Sequence, residues 1–220
     1  ATKKLTSFGL EVESKVFPGD ISDEAFKKEF AAINADASVD GILMLRPLPK
    51  QINEQDIEKM IDPAKDLDGI SPVNIAKVFS GDTSGFAPCT AEAVVCMLKM
   101  NDIALSGKRV AVVGRSMVVG RPLSMLLLHE NATVTICHSR TASLPEVCRE
   151  ADILTACVGK AAMINHTYVK KDAVVIDVGI NVDENGKLCG DVDFAQVSEK
   201  ASAITPVPGG VGPMTIAMLM

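Results

Sequence analysis

The sequence has no excess of positive charge: 22 Lys and Arg stand against 28 Asp and Glu, a formal net charge of −6. That balance argues against a nucleic-acid or anionic-membrane surface, while leaving room for a local basic pocket that takes a small phosphate. Metal-type spacing is also missing. Cys89, Cys96, Cys137, Cys148, Cys157 and Cys189 are scattered without a C-x-x-C pair or a nearby histidine cluster, so neither zinc nor a disulfide scaffold is indicated. Reduced thiols in a cytoplasmic compartment are the expectation. No apolar run approaches the roughly 18 residues of a membrane span, and the opening ATKKLTSFGL has no signal-peptide core. What the chain does have is length and apolar content, 220 residues at 47% hydrophobic, enough for one large or two small domains.

Strand and helix patterns alternate along the chain without an internal repeat. Lys3 to Phe8 reads as the tail of a helix, and MTIAMLM as the start of an apolar helix that stops after about two turns, so both ends are expected to be cut. Glu11 to Phe17 fits a strand. The stretch SDEAFKKEFAAINAD places Ala25, Phe26, Phe30 and Ile33 on one helical face, DGILMLRPLP is a short apolar strand ended by prolines, and INEQDIEKMI is another helix. From there to Thr90 the richness in Pro, Gly, Asp and Ser predicts loop, with Thr90 capping the helix AEAVVCMLKM. A domain junction falls near residues 85–92. Beyond it come strand 108–113, helix 121–129, and strands in ATVTICH, DILTACV, DAVVIDVGI and SAITPV, with LPEVCREA as a further helix. This βαβ succession predicts an α/β fold with a mainly parallel sheet and ligands at the carboxyl ends of its strands.

The turn after the first of these strands, VVGRSMVVGRP (112–122), resembles a nucleotide-binding turn but matches neither common pattern. A dinucleotide fingerprint would place glycines at 114, 116 and 119, and a Walker loop a glycine at 119 followed by lysine; the chain has Ser116, Val119 and Gly120. The mechanics nevertheless suit an anion: a buried strand ends at Gly114, and Pro122 at a first helical position launches an apolar-faced helix. A free ribose 2′-hydroxyl is normally held by an acidic residue roughly 20 positions on. Here that place reads Cys137-His138-Ser139-Arg140-Thr141, and a hydroxyl and a guanidinium, with Arg115 across the turn, suit an added 2′-phosphate. The turn therefore points to NADP over NAD, against the plain alternative that Arg115 and Arg140 are solvated surface charges.

Two more segments invite a functional reading. TPVPGGVGPMT (205–215) sets three prolines and three glycines between strand and helix, a rigid turn whose peptides can lie against a flat ligand, or simply a stiff connector. In DPAKDLDGISPVN (62–74), Asp66 or Asp68 could offer two carboxylate oxygens to neighbouring N–H donors of a heterocycle, though an Asp before Gly is often only a turn former.

Taken in order and spacing, DGILMLRPLP, KDLDGISPVN, PCT, VVGRSMVVGRP, ATVTICHSRT, DVGIN, GDVDF and ITPVPGGVGPMTIAMLM closely resemble the methylenetetrahydrofolate dehydrogenase/cyclohydrolase family, from about residue 4 to residue 220. The resemblance implies two α/β domains, 1–88 for folate and catalysis with its amino-terminal part missing, and 89–220 for NADP with its last helix cut short. It implies a Rossmann-like second domain, an active-site cleft between the two, a cytoplasmic homodimer, tetrahydrofolate derivatives as small-molecule substrates, and neither nucleic-acid nor membrane partners. By the same resemblance Gly114, Arg115, Ser116, Ser139, Arg140, Ile180 and Thr215 would hold NADP. Asp68 would grip the pterin, with Met44, Leu45, Arg46, Pro208, Gly209, Gly210, Val211 and Gly212 around the folate.

In the family's first reaction two nitrogens flank the one-carbon bridge, and their lone pairs expel a hydride without a general base, so orientation carries most of the work. The second reaction, hydrolysis of the methenyl cation, needs activated water and a tuned titratable group. Here the chain departs from the family pattern. The lysine of a Tyr-x-x-x-Lys motif falls eight residues before the glycine equivalent to Gly9, at Ala1, and the glutamine of a Val-Gln-Leu-Pro-Leu context is replaced by Leu45, followed by Arg46. A methyl and an isobutyl group relay no protons, so the expectation is dehydrogenase activity with weak or absent cyclohydrolase activity. The alternatives are a fully bifunctional enzyme, a lapsed folate or nucleotide binder, and another NADP dehydrogenase such as one acting on a hydroxy acid. The last lacks an obvious catalytic group, since His129, His138 and His166 read as surface or packing residues.

Overall fold

Runs of β-branched apolar residues form the main sheet of one part of the chain. The computed structural model describes residues 2–220, which separate into two units, residues 2–89 with Leu219–Met220 and Thr90–Met218.

The first unit is built from α1 (Thr2–Ser7), α2 (Asp23–Ala35), α3 (Glu54–Met60) and α4 (Pro72–Ser80). Ser22 caps α2 by accepting the Ala25 N–H, and Phe26 and Phe30 turn inward from it onto Ile42, Met44, Ile57, Ile61 and Ile70. Ala25, placed on the same face by periodicity, is exposed, and Ile33 is half-buried. The two expected strands are corrected. Glu11 to Phe17 forms no ladder, and residues 40–49 contribute only an isolated parallel bridge, Ile42 with Asp66. An extended segment without a hydrogen-bonded neighbour is not a strand. The region expected to be loop contains α4. Ser71 accepts the Asn74 N–H as its N-cap, Pro72 occupies the first turn, and Gly81 ends it at φ +78°, a left-handed cap that glycine adopts without strain.

Helix α5 (Cys89–Met100) belongs to the second unit from Thr90 onward; Thr90 lies inside this helix rather than capping it. There follow β1 (Arg109–Val113), α6 (Gly120–His129), β2 (Thr133–Cys137), α7 (Leu144–Arg149), β3 (Ile153–Ala156), a 3-10 turn at His166–Tyr168, β4 (Val174–Asp177), a hairpin of β5 (Asn181–Val182) and β6 (Leu188–Cys189), α8 (Phe194–Ser198), β7 (Ala203–Ile204) and α9 (Val211–Met218). The main sheet is parallel throughout in the order β2-β1-β3-β4-β7. Val110, Val112, Ile153 and Ile176 face α5 and α6 in one apolar layer, and Val113, Leu154 and Val175 belong to another with Ile164, Val169 and Val197. A parallel strand covered on both faces accounts for the uninterrupted apolar runs. The order reverses at β1, whose neighbours are the next strand on one side and β3 on the other, and that switch point is where α/β sheets take ligands. Pro122 is the third residue of α6, not the first.

Candidate active site

In the first unit the loop 62–71 is organised around one buried carboxylate. Asp66 accepts the N–H of Ile70 (3.0 Å) and Ser71 (2.7 Å) and the side-chain amide of Asn74 (2.9 Å), and is fully buried. Asn74 also donates to the Pro63 carbonyl and accepts the Phe86 N–H, and Gly69, at φ +59°, leaves room where a Cβ would stand 2.6 Å from the Phe86 oxygen. Of the two acids left open by the sequence, Asp66 is thus committed to its own loop. Asp68 is not: its side chain is 22% exposed and its Oδ2 lies 3.4 Å from Arg46 Nη2. Burial pushes the Asp68 carboxyl above its usual range, partly offset by Arg46 and by the Cys89 N–H.

Residues 44–46 separate by alternation. On an extended segment successive side chains point oppositely, so Met44 is buried in the apolar core while Leu45 is 78% exposed. The Met44 side chain thus packs in the core of the first unit. Arg46 is largely buried, between Asp68, Glu54 and Glu58. Ala1 lies outside the described residues.

In the second unit Gly114, Arg115, Ser116, Ser139, Arg140 and Ile180 follow the carboxyl ends of β1, β2 and β4, while Thr215 lies within α9. Gly114 follows β1 at φ +138°, and a Cβ there would meet the Cys157 carbonyl oxygen at 2.3 Å; a Cβ at Gly120 would meet the Gly114 oxygen at the same distance. Only glycines allow this turn to close. The amino end of α6 is satisfied from within: Ser116 Oγ accepts the N–H of Val119 (3.2 Å) and Gly120 (3.5 Å), and the Ser116 carbonyl accepts that of Arg121. The helix end expected to attract an anion is thus already occupied by a hydroxyl. Among the described residues the N–H groups of Arg115 and Ser116 donate to no protein acceptor, and both residues are exposed. Ser139 and Arg140 are exposed on the turn after β2, where His138 Nδ1 accepts the Arg140 N–H at 3.2 Å. Ile180, after β4, is exposed.

The segment 205–212 leaves the same edge after β7. Thr205 Oγ1 accepts the Asp177 N–H at 2.8 Å, Gly209 sits at φ +104°, Val207-Pro208 is cis, and Pro208, Gly209 and Gly212 are exposed. A Cβ at Gly210 would stand 2.5 Å from the Pro206 carbonyl oxygen. Val211, expected among the folate contacts, is buried in the core at the start of α9, and Thr215 Oγ1 contacts the Val211 carbonyl and Thr90 Oγ1.

Two carboxylates at this edge went unassigned from sequence. Asp177 accepts the N–H of Gly179, Asp191 and Val192, and burial pushes its carboxyl upward. Asp191 is fully buried and accepts the N–H of Val158, Gly159 and Lys160 and the Asn181 side-chain amide. It fastens the loop after β3 to the hairpin segment. The signal was present in DVGIN and GDVDF, an acid ending an apolar strand and an acid after glycine, but it marked motifs without roles.

A parallel sheet with a switch point at β1, a glycine-closed β1–α6 turn and free amides beside it define an α/β protein with a dinucleotide-binding domain. Family comparison goes further. Residues 88–220 match the model described as the tetrahydrofolate dehydrogenase/cyclohydrolase NAD(P)-binding domain, and residues 1–68 match that family's catalytic domain. The chain belongs to the tetrahydrofolate dehydrogenase/cyclohydrolase family. It is 52% identical over 217 residues to the Bifunctional protein FolD of Clostridium kluyveri, covering 99% of this chain and 76% of that one. With the protein of the same name from Clostridioides difficile it shares 53% over 219 residues, 100% and 76% of the two chains. Among solved structures, the bifunctional enzyme FolD of Campylobacter jejuni superposes with a TM-score of 0.97 at 42% identity, covering 99% of this chain and 77% of that one. The Trypanosoma brucei enzyme, complexed with NADP cofactor and inhibitor, gives 0.93 at 35%, covering 99% and 76%.

Proposed function

We propose that this chain oxidises 5,10-methylenetetrahydrofolate with NADP and hydrolyses the resulting methenyl cation to 10-formyltetrahydrofolate. The observation that carries the reading is Asp68, a partly shielded carboxylate on a loop that a separate buried acid, Asp66, holds in place, left able to accept N–H donors of a pterin. Bound NADP supplies the hydride acceptor. The protein's own contribution to the first step is orientation: Asp68 fixes the pterin, and the rigid glycine turn fixes the dinucleotide. The residues present fit the dinucleotide, since Arg115 and Ser116 offer free amides, and Ser139, Arg140 and the Arg115 guanidinium offer donors to a 2′-phosphate with no carboxylate among them.

The sequence alone leads one to expect a weak second step. Relatives about half identical carry bifunctional names, which favours both steps. Leu45 has no proton to give, so the second step rests on those relatives and not on a titratable group identified in this chain. The test follows both signals in one cuvette: NADPH forms from methylenetetrahydrofolate, and added methenyltetrahydrofolate loses its absorbance well above the spontaneous rate. A chain that binds both compounds without turnover would be a lapsed binder and would refute the reading.

Specificity is checked by Ser139→Asp, which sets a carboxylate where the 2′-phosphate is proposed to lie. Repulsion of a like charge is expected to lower kcat/KM for NADP by about 30-fold and to spare NAD. Equal losses with both cofactors would show that Ser139 does not read the phosphate.

A further inference from the structure

Arg46 stands at the centre of a charge arrangement that the proposed function leaves unused. Its side chain is 16% exposed; Nη1 lies 3.6 Å from Glu54 Oε1 and 3.6 Å from Glu58 Oε1, and Nη2 lies 3.4 Å from Asp68 Oδ2. Three carboxylates thus share one guanidinium. Glu54 and Glu58 are four residues apart on α3, where like charges repel unless a cation lies between them. The distances exceed those of a fork-to-fork pair, so the cation is divided among its partners rather than committed to one. Glu58 is itself pushed upward by burial, against the pull of Arg46.

We propose that Arg46 is a positioning residue for Asp68: anchored on one side by Glu54 and Glu58, it fixes the Asp68 carboxylate as the acceptor of the pterin. This rests on the reading of Asp68 given above. The groups bearing on Asp68 are Arg46 and the Cys89 N–H, which favour its charge, and Asp66, which opposes it together with burial. Without Arg46 the Asp68 carboxylate loses its cation neighbour and the contact at 3.4 Å that holds its orientation, so its oxygens are no longer fixed toward the N–H groups they should receive. A lysine in its place would restore the charge but not the planar fork that reaches Asp68 and the two glutamates at once.

The experiment uses the full chain as wild type, Arg46→Leu, Arg46→Lys and Glu58→Gln, and follows the Asp68 carboxyl carbon by NMR titration without ligand, then kcat and KM with methylenetetrahydrofolate. In Arg46→Leu the Asp68 midpoint should rise by about one pH unit. The folate KM should rise about tenfold, a typical size for a charge-assisted contact, with kcat and the NADP KM nearly unchanged. Arg46→Lys should recover part of both effects. Glu58→Gln removes a competitor for the guanidinium and should move the Asp68 midpoint the other way, downward, so the proposal stays testable even if Arg46→Leu folds poorly. An Asp68 midpoint unmoved in Arg46→Lys and Glu58→Gln overturns the proposal, and so does a moved midpoint with an unchanged folate KM. A wild-type chain that does not turn over methylenetetrahydrofolate overturns the pterin reading itself, visibly and apart from the titration.

Discussion

Asp68→Asn is expected to lower kcat/KM for methylenetetrahydrofolate about 100-fold, equivalent to roughly 2.7 kcal/mol, while NADP affinity stays near wild type. The substitution keeps shape and removes charge. Two carboxylate oxygens that accept from adjacent N–H groups become one acceptor and one donor, and the donor faces the pterin's own donors. Folding should be little affected, because the loop is held by Asp66 through Ile70, Ser71 and Asn74 and not by Asp68. Equilibrium binding of each ligand separates the two halves of the prediction. A loss in NADP affinity as large as that in folate affinity would mean that Asp68 supports the whole fold, and a variant with full activity would remove it from the site.

The second large effect belongs to Asp191→Ala. Four donors, the N–H groups of Val158, Gly159 and Lys160 and the Asn181 amide, lose their acceptor in a fully buried place. Removing one partner from such a network costs about 4 kcal/mol, which in a protein of this size is roughly 10 °C of Tm. Asp191→Asn should lie between, because a single oxygen still accepts while its amide group confronts N–H donors. Since the loop after β3 borders the same sheet edge as Gly114, NADP binding should weaken in step with stability. Thermal unfolding within about 2 °C of wild type in Asp191→Ala would show that water or a neighbouring group replaces the carboxylate.

The parallel sheet was legible because β1, β3 and β4 are continuous apolar runs with helical patterns between them, and tertiary packing agrees with local pattern there. The first unit was harder to read. Glu11 to Phe17 has strand composition, but a strand needs a neighbour, and composition does not say whether one is present. The α4 helix was hidden under a Pro, Gly and Ser content that elsewhere means loop, although Ser71, Pro72 and Gly81 are each in the positions that start and stop a helix. The β5–β6 hairpin is two residues per strand, below what alternation can signal, yet Asn185-Gly186 marks its turn, with Gly186 at φ +77°. At the site, Gly114 was visible as the end of a buried strand. Asp66 and Asp68 were not separable, since both sit in one acidic turn and only burial distinguishes the acid that holds the loop from the acid that faces outward. Met44 and Val211 were assigned by motif, and the burial of their side chains follows from alternation and helix placement. Asp177 and Asp191 needed the tertiary fold, because their donors come from segments distant in sequence.

The proposal tested most directly is that Asp68 binds the folate and that the glycine-closed turn takes a 2′-phosphorylated dinucleotide. The most direct measurement is initial-rate oxidation of methylenetetrahydrofolate by the full chain, with NADP and NAD side by side. The account predicts reduction of both with kcat/KM at least about tenfold higher for NADP, the least that one well-placed charge-assisted contact provides. No reduction of either cofactor, or a clear preference for NAD, would contradict it.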